Sequence, residues 1–164
     1  MTDKGLSTTP CNNAAIRQTA RMLGQLYDDA LAPSGLRATQ HTLLKTIQRL
    51  DSPTLREMAT TLVMDLSALG HSLKPLVRDG LVAIVPDAED RRAKRAMLTK
   101  AGSKKLEETT RLWRHAQDRF EIAFGLRRAE ELRESLASVS TDEFRQAFQD
   151  GRPLGKRRQR DRVR

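Results

Sequence analysis

Residues 54–80 read TLREMATTLVMDLSALGHSLKPLVRDG, and their reading decides the fold. Thr54 stands three residues before Glu57, a capping-box spacing: the threonine oxygen accepts from a free helical N–H while the glutamate reaches back. A short helix is predicted from Leu55 to about Leu62. Val63-Met64-Asp65 makes a tight connection, and Asp65 is placed to cap a further helix from Leu66 to about Arg78. The apolar stripe of that helix is Leu66, Leu69, Leu73 and Leu76, at helical spacing. Asp79-Gly80 closes it, because glycine accepts the left-handed geometry of a helix end. Pro75 falls inside this stretch, removes one hydrogen bond and costs on the order of 3 kcal/mol in a helix interior.

Working outward, the period changes at Leu81-Val82-Ala83-Ile84-Val85, a short run rich in β-formers. Arg95-Ala96-Met97-Leu98 reads as the returning strand, with the charged turn Pro86 to Lys94 between them. Upstream, helices are predicted from Asn13 to Leu31 (Ile16, Ala20, Leu23, Tyr27, Ala30) and from Thr39 to Leu50 (Leu43, Leu44, Ile47, Leu50). Pro33-Ser34-Gly35 and Asp51-Ser52-Pro53 are the breaks. Downstream, a long helix is expected from Lys100 to Phe124, with Leu106, Trp113, Ala116, Phe120 and Ala123 near heptad spacing. Gly125 interrupts it. One last helix is expected from Arg127 to Gln149, carrying Leu132, Leu136, Val139, Phe144 and Phe148.

Two short helices joined by a tight turn and followed by a hairpin make a winged helix-turn-helix. The fold class expected is mainly α with a small β-hairpin wing. Residues 37–99 would form the DNA-binding domain, and 11–36 with 100–150 a helical dimerisation region. Residues 1–10 and 151–164 would be disordered ends. The second helix of the pair offers Ser67, Gly70, His71, Lys74 and Arg78 opposite its apolar stripe. Hydroxyl, imidazole and ammonium groups reach base edges and phosphates, and Gly70 allows close approach. In the hairpin turn, Arg91, Arg92 and Lys94 can enter a narrow minor groove, with Asp90 expected to orient an arginine.

Composition bounds the rest. The chain has 164 residues, 38% hydrophobic, enough for one real core. Its net charge of +9 is concentrated at the end: Arg152, Lys156, Arg157, Arg158, Arg160, Arg162 and Arg164 stand against Asp161 alone. Such a tail is a solvated end or a nonspecific nucleic-acid contact. A single cysteine forbids an intrachain disulfide and suits a reducing cytosol. No apolar run reaches membrane-spanning length and no secretory signal is present, so a cytoplasmic, nucleoid-associated protein is expected. Three dispersed histidines lack metal-ligand spacing, and no phosphate-cradling loop or nucleophile motif occurs. Neither an enzyme nor a cofactor is indicated.

The chain from about Cys11 to Leu106 resembles the MarR family of bacterial regulators. The match is carried by Gly35-Leu36-Arg37-Ala38-Thr39-Gln40, Leu55-Arg56-Glu57-Met58-Ala59, Met64-Asp65, Lys74-Pro75-Leu76, Asp79-Gly80-Leu81-Val82, Asp90-Arg91-Arg92 and Leu98-Thr99-Lys100-Ala101-Gly102. The resemblance implies a homodimer on double-stranded DNA at a palindromic operator, usually a repressor released by a small molecule or an oxidant. It also implies that the helix continues through Pro75, with a distortion. Relatives often carry arginine where this chain has Leu66 and His71, and threonine at Ala68 and Gly70, so this recognition surface is poorer in donors.

An aromatic or phenolic effector is the ligand the resemblance implies, and His41, His115, Arg17 and Arg21 are its candidate contacts. Lone helical histidines more often serve packing. Trp113, on the seam, points to core or interface packing. Cys11 is a candidate redox thiol, the alternative to an effector. Against that, the family's sensor position falls nearer Asn13, and Tyr27 is the sole tyrosine. A further alternative is an architectural DNA-binding protein without an effector.

Overall fold

The computed structural model describes residues 10–90 and 92–154. They form seven helices and one hairpin: α1 Asn12–Leu31, α2 Ala38–Arg49, α3 Leu55–Thr61, α4 Leu66–Arg78, β1 Val82–Pro86, β2 Lys94–Leu98, α5 Lys100–Phe124, α6 Leu126–Ser138 and α7 Asp142–Gln149. A single 3-10 turn, Ala32–Ser34, follows α1, and Gly35 then takes φ 74°. The chain divides into two compact units, one ending at Ala116 and one starting at Gln117.

Local chemistry explains where the helices begin. Thr54 Oγ1 accepts from Glu57 N–H at 3.1 Å, and Thr54 N–H donates to Glu57 Oε2 at 2.7 Å, the reciprocal capping box expected. The carboxylate of Asp65 accepts from Ala68 N–H at 2.7 Å and starts α4. Thr99 Oγ1 accepts from Gly102 N–H at 2.9 Å and starts α5. α4 runs unbroken through Pro75.

The first unit is built around Leu36, Leu43, Leu44, Ile47, Met58, Leu69, Leu73, Leu76, Val82, Ala96 and Leu106. Two positions on the expected stripes of α2 and α4 are not in it. Leu50 is 36% exposed and Leu66 50%, because each lies at a helix terminus, where the buried face runs out. The hairpin register pairs Val82 with Leu98 and Pro86 with Lys94. An isolated bridge, Thr54 to Arg95, and the bond from Ala96 N–H to Pro53 O at 2.9 Å add the segment before α3 to the edge of β2.

Between α3 and α4, Val63 holds φ 53° and is 73% exposed. A β-branched residue is strained there, by about 1–2 kcal/mol. Val63→Gly is therefore expected to raise stability by about 0.5–1 kcal/mol, glycine's greater chain entropy offsetting part of the relief. Urea unfolding checks this, and a destabilised variant would refute the strain.

The second unit corrects the expectation of one final helix from Arg127 to Gln149. Val139-Ser140-Thr141 separates α6 from α7. Ser138, Ser140 and Thr141 turn their hydroxyls back onto the carbonyls of Ser135, Leu136 and Ser138, and Thr141 Oγ1 caps Phe144 N–H at 3.1 Å. Hydroxyl side chains in sequence compete with the helical ladder in this way.

Candidate nucleic-acid interface

Three turns of α4 set out one exposed row. Ser67, His71, Lys74 and Arg78 are exposed and Gly70 is half-buried, while Leu69, Leu73 and Leu76 fill the core behind them. His71 donates its Nδ1–H to the carbonyl of Ser67 at 2.8 Å. That bond leaves Nε2 to face outward, as an acceptor when the ring is neutral. Among the described residues Lys74 forms no ion pair, and Arg78 is drawn to Asp79 at 2.9 Å, which raises its pKa through that hydrogen bond.

The wing is held by a carboxylate the sequence reading did not single out. Asp87 is 6% exposed; its Oδ1 accepts from Glu89 N–H at 2.8 Å and Asp90 N–H at 2.9 Å, and its Oδ2 pairs with Arg95 Nε. Arg95 Nη1 also donates to Ser52 O at 2.9 Å. The backbone N–H of Asp90, then that of Glu89, then Arg95 hold the Asp87 carboxyl below the usual range. Among the described residues Asp87 is the acid that pairs with a wing arginine side chain, and Asp90 Oδ1 accepts from the backbone N–H of Arg92 at 2.9 Å. Arg92 and Lys94 are exposed, and Arg91 lies outside the described residues.

A groove of about 680 Å³ runs between the start of α3, Leu66 of α4 and the wing. Arg56, Arg92 and Lys94 line it together. Arg56 was missed as a candidate because its distance from the wing in sequence hides their adjacency. Its exposed place in the first turn of α3 was the available signal.

The four expected effector contacts are not brought together. His41 is buried and lines a separate cleft with Lys45, Arg49, Trp113 and Arg114. Arg17, Arg21 and His115 are exposed and do not line it. Cys11 is exposed at the N-cap of α1. Among the described residues no three His, Cys, Asp or Glu side chains are placed to hold a metal, and no helix is long and apolar enough to cross a membrane.

Helix, tight turn, helix and antiparallel hairpin, with cations on the second helix and the hairpin, define a winged-helix DNA-binding protein. The MarR family model matches residues 36–94. MosR, a transcriptional regulator of M. tuberculosis solved in complex with DNA, is 34% identical, with 87% of this chain and 99% of that chain covered at a TM-score of 0.73. YwoH of Bacillus subtilis, an uncharacterized HTH-type transcriptional regulator, is 30% identical over 93 residues, 57% of this chain and 67% of that protein. A mutant MarR from E. coli complexed with operator DNA shares the fold at 24% identity, with 79% of this chain and 93% of that chain covered at a TM-score of 0.72. The chain belongs to the MarR family, whose members are DNA-binding transcription regulators and not enzymes.

Proposed function

We propose that two copies of this chain bind a pseudo-palindromic operator as a cytoplasmic repressor, and that a small aromatic ligand releases them. The observation that carries the DNA reading is the exposed row Ser67, His71, Lys74 and Arg78 on α4, together with Arg92 and Lys94 on an anchored wing. Gly70 in that row allows backbone approach, and Arg91, next to Arg92 in sequence, is a further candidate contact. Recognition helices of a two-fold dimer would enter successive major grooves about 34–36 Å apart.

Apolar surface supports a second copy. Ile16, Met22 and Leu26 of α1 are exposed, and in the other unit so are Ile122 at 84% and Phe148 at 77%. Large apolar side chains left in water on several helices mark surfaces that associate. The regions 11–36 and 100–150 are accordingly assigned to dimerisation. No observation favours oxidation of Cys11 over an effector, and the cleft at His41 and Trp113 favours a regulator with a ligand over a purely architectural protein.

The test is operator binding by fluorescence anisotropy, on DNA from the promoter adjoining the coding sequence, with competitor DNA. Lys74→Ala and Arg92→Ala are each expected to weaken binding about tenfold and to lower the salt slope by about one, while the dimer stays folded. Wild-type affinity in both variants, or a monomer by sedimentation, would overturn the proposal.

A further inference from the structure

The first turn of α4 carries a side chain that neither the core nor the cationic row explains. Leu66 is 50% exposed, and it belongs neither to the core of the first unit nor to the apolar residues packed against that core. An exposed leucine alone means little; its place is what matters. Leu66 is the first residue of α4, directly after the cap at Asp65, and its Cβ is tilted toward the helix N-terminus. The N-terminal residues of a recognition helix are those that meet base edges.

The residues around it narrow what can be read there. Met64, Asp65, Leu66, Ser67 and Ala68 include no arginine, lysine, asparagine or glutamine, so this turn makes no bidentate bond to guanine or adenine. Asp65 Oδ1 is engaged by Ala68 N–H at 2.7 Å. Along the i, i+4 row, Leu66 is followed by Gly70 and then Lys74, and a Cβ built on Gly70 would meet nothing within 4 Å. A base edge can therefore approach the helix backbone beside Leu66. Leu66 also lines the groove shared by Arg56, Arg92 and Lys94, none of which forms an ion pair among the described residues. Three acids line it too: Glu89, Asp87, which is paired with Arg95, and Asp90, which accepts from the backbone N–H of Arg92. The unpaired cations suit a polyanion, and the leucine suits an apolar group carried on one.

We infer that Leu66 reads thymine, packing its side chain on the 5-methyl group that thymine presents in the major groove. That methyl is the one alkyl group on the base-pair edges of the groove; the other readable features are hydrogen-bond donors and acceptors. Leucine answers neither, and burying it against a guanine or cytosine edge would leave polar groups without partners. Leu66 is thus a specificity-determining residue, whereas the cations of the same groove add affinity on any sequence.

This inference rests on the reading that α4 enters the major groove, and the experiment separates the two. The promoter fragment adjoining the coding sequence is amplified once with dTTP and once with dUTP, which removes the thymine methyls and keeps the hydrogen-bonding groups. Binding to each duplex is measured by fluorescence anisotropy with competitor DNA. Wild type should prefer the thymine duplex about fourfold per half-site, and so roughly fifteenfold as a dimer. Leu66→Ala should lose that preference by weakening on thymine DNA alone. Leu66→Met, which keeps an apolar side chain of similar volume, should retain most of it. The salt slope should be the same in all three proteins. Equal affinity of wild type for both duplexes would overturn the assignment and leave DNA binding intact. So would a preference undiminished in Leu66→Ala, which would place the discrimination in duplex shape or another contact. Wild type that binds neither duplex would remove the DNA reading and this assignment with it.

Discussion

Gly102→Ala is expected to destabilise the protein by about 2–3 kcal/mol, although alanine is the better helix former by about 1 kcal/mol. Gly102 lies in the first turn of α5, where the helix passes over the backbone of Leu81. A Cβ built there would stand 1.9 Å from Leu81 O and 2.9 Å from Leu81 C. Those are backbone atoms, and they are pinned from both sides. Leu81 O accepts from Thr99 N–H at 3.1 Å, and Leu81 N–H donates to Leu76 O at 2.9 Å. Relief would require α5 to lift, which would also disturb Thr99 Oγ1, bonded to Gly102 N–H at 2.9 Å and to Gly80 O at 2.7 Å. Urea unfolding of variant and wild type measures the difference, and a variant as stable as wild type would refute the close approach.

Asp87→Asn is expected to loosen the wing and to lower operator affinity at least tenfold, although Asp87 itself need never touch DNA. The substitution keeps the volume but removes the charge that faces Arg95, leaving a cation anchored only through its bond to Ser52 O. The segment 52–54, β2 and the wing turn then lose their shared fastening. Hydrogen exchange at Asp90 and Ala96 should quicken. Asp90→Asn, which retains an oxygen for Arg92 N–H, serves as the mild control.

The same carboxylate sets a pH dependence. Its pKa is depressed in the folded state by the N–H groups of Asp90 and Glu89 and by Arg95. A depressed acid contributes stability that is fully present above its unfolded value, near pH 4, and is lost as pH falls through the folded value. Wild type should therefore lose stability more steeply than Asp87→Asn below about pH 4, and the two should converge in acid. Parallel acid limbs, or unchanged operator affinity, would refute the role.

Elements that depend on nearby residues were legible in the sequence. The caps at Thr54 and Asp65 and the leucine stripe of α4 each involve residues within a few positions of one another. The break at Val139-Ser140-Thr141 was local too, but the apolar periodicity of Leu132, Leu136, Val139, Phe144 and Phe148 runs across it and masks the hydroxyl signal. The exposed row on α4 followed from the same periodicity that identified its buried face.

The positions of the first five helices, the hairpin and the cationic face of α4 were thus determined by sequence alone, because they follow from spacing along one element. Tertiary structure decided which acid holds Arg95, why Gly102 tolerates no side chain, and that His41 meets Trp113 and Arg114 instead of Arg17, Arg21 and His115. These depend on where residues distant in sequence come to lie, and neither charge nor periodicity encodes a through-space distance.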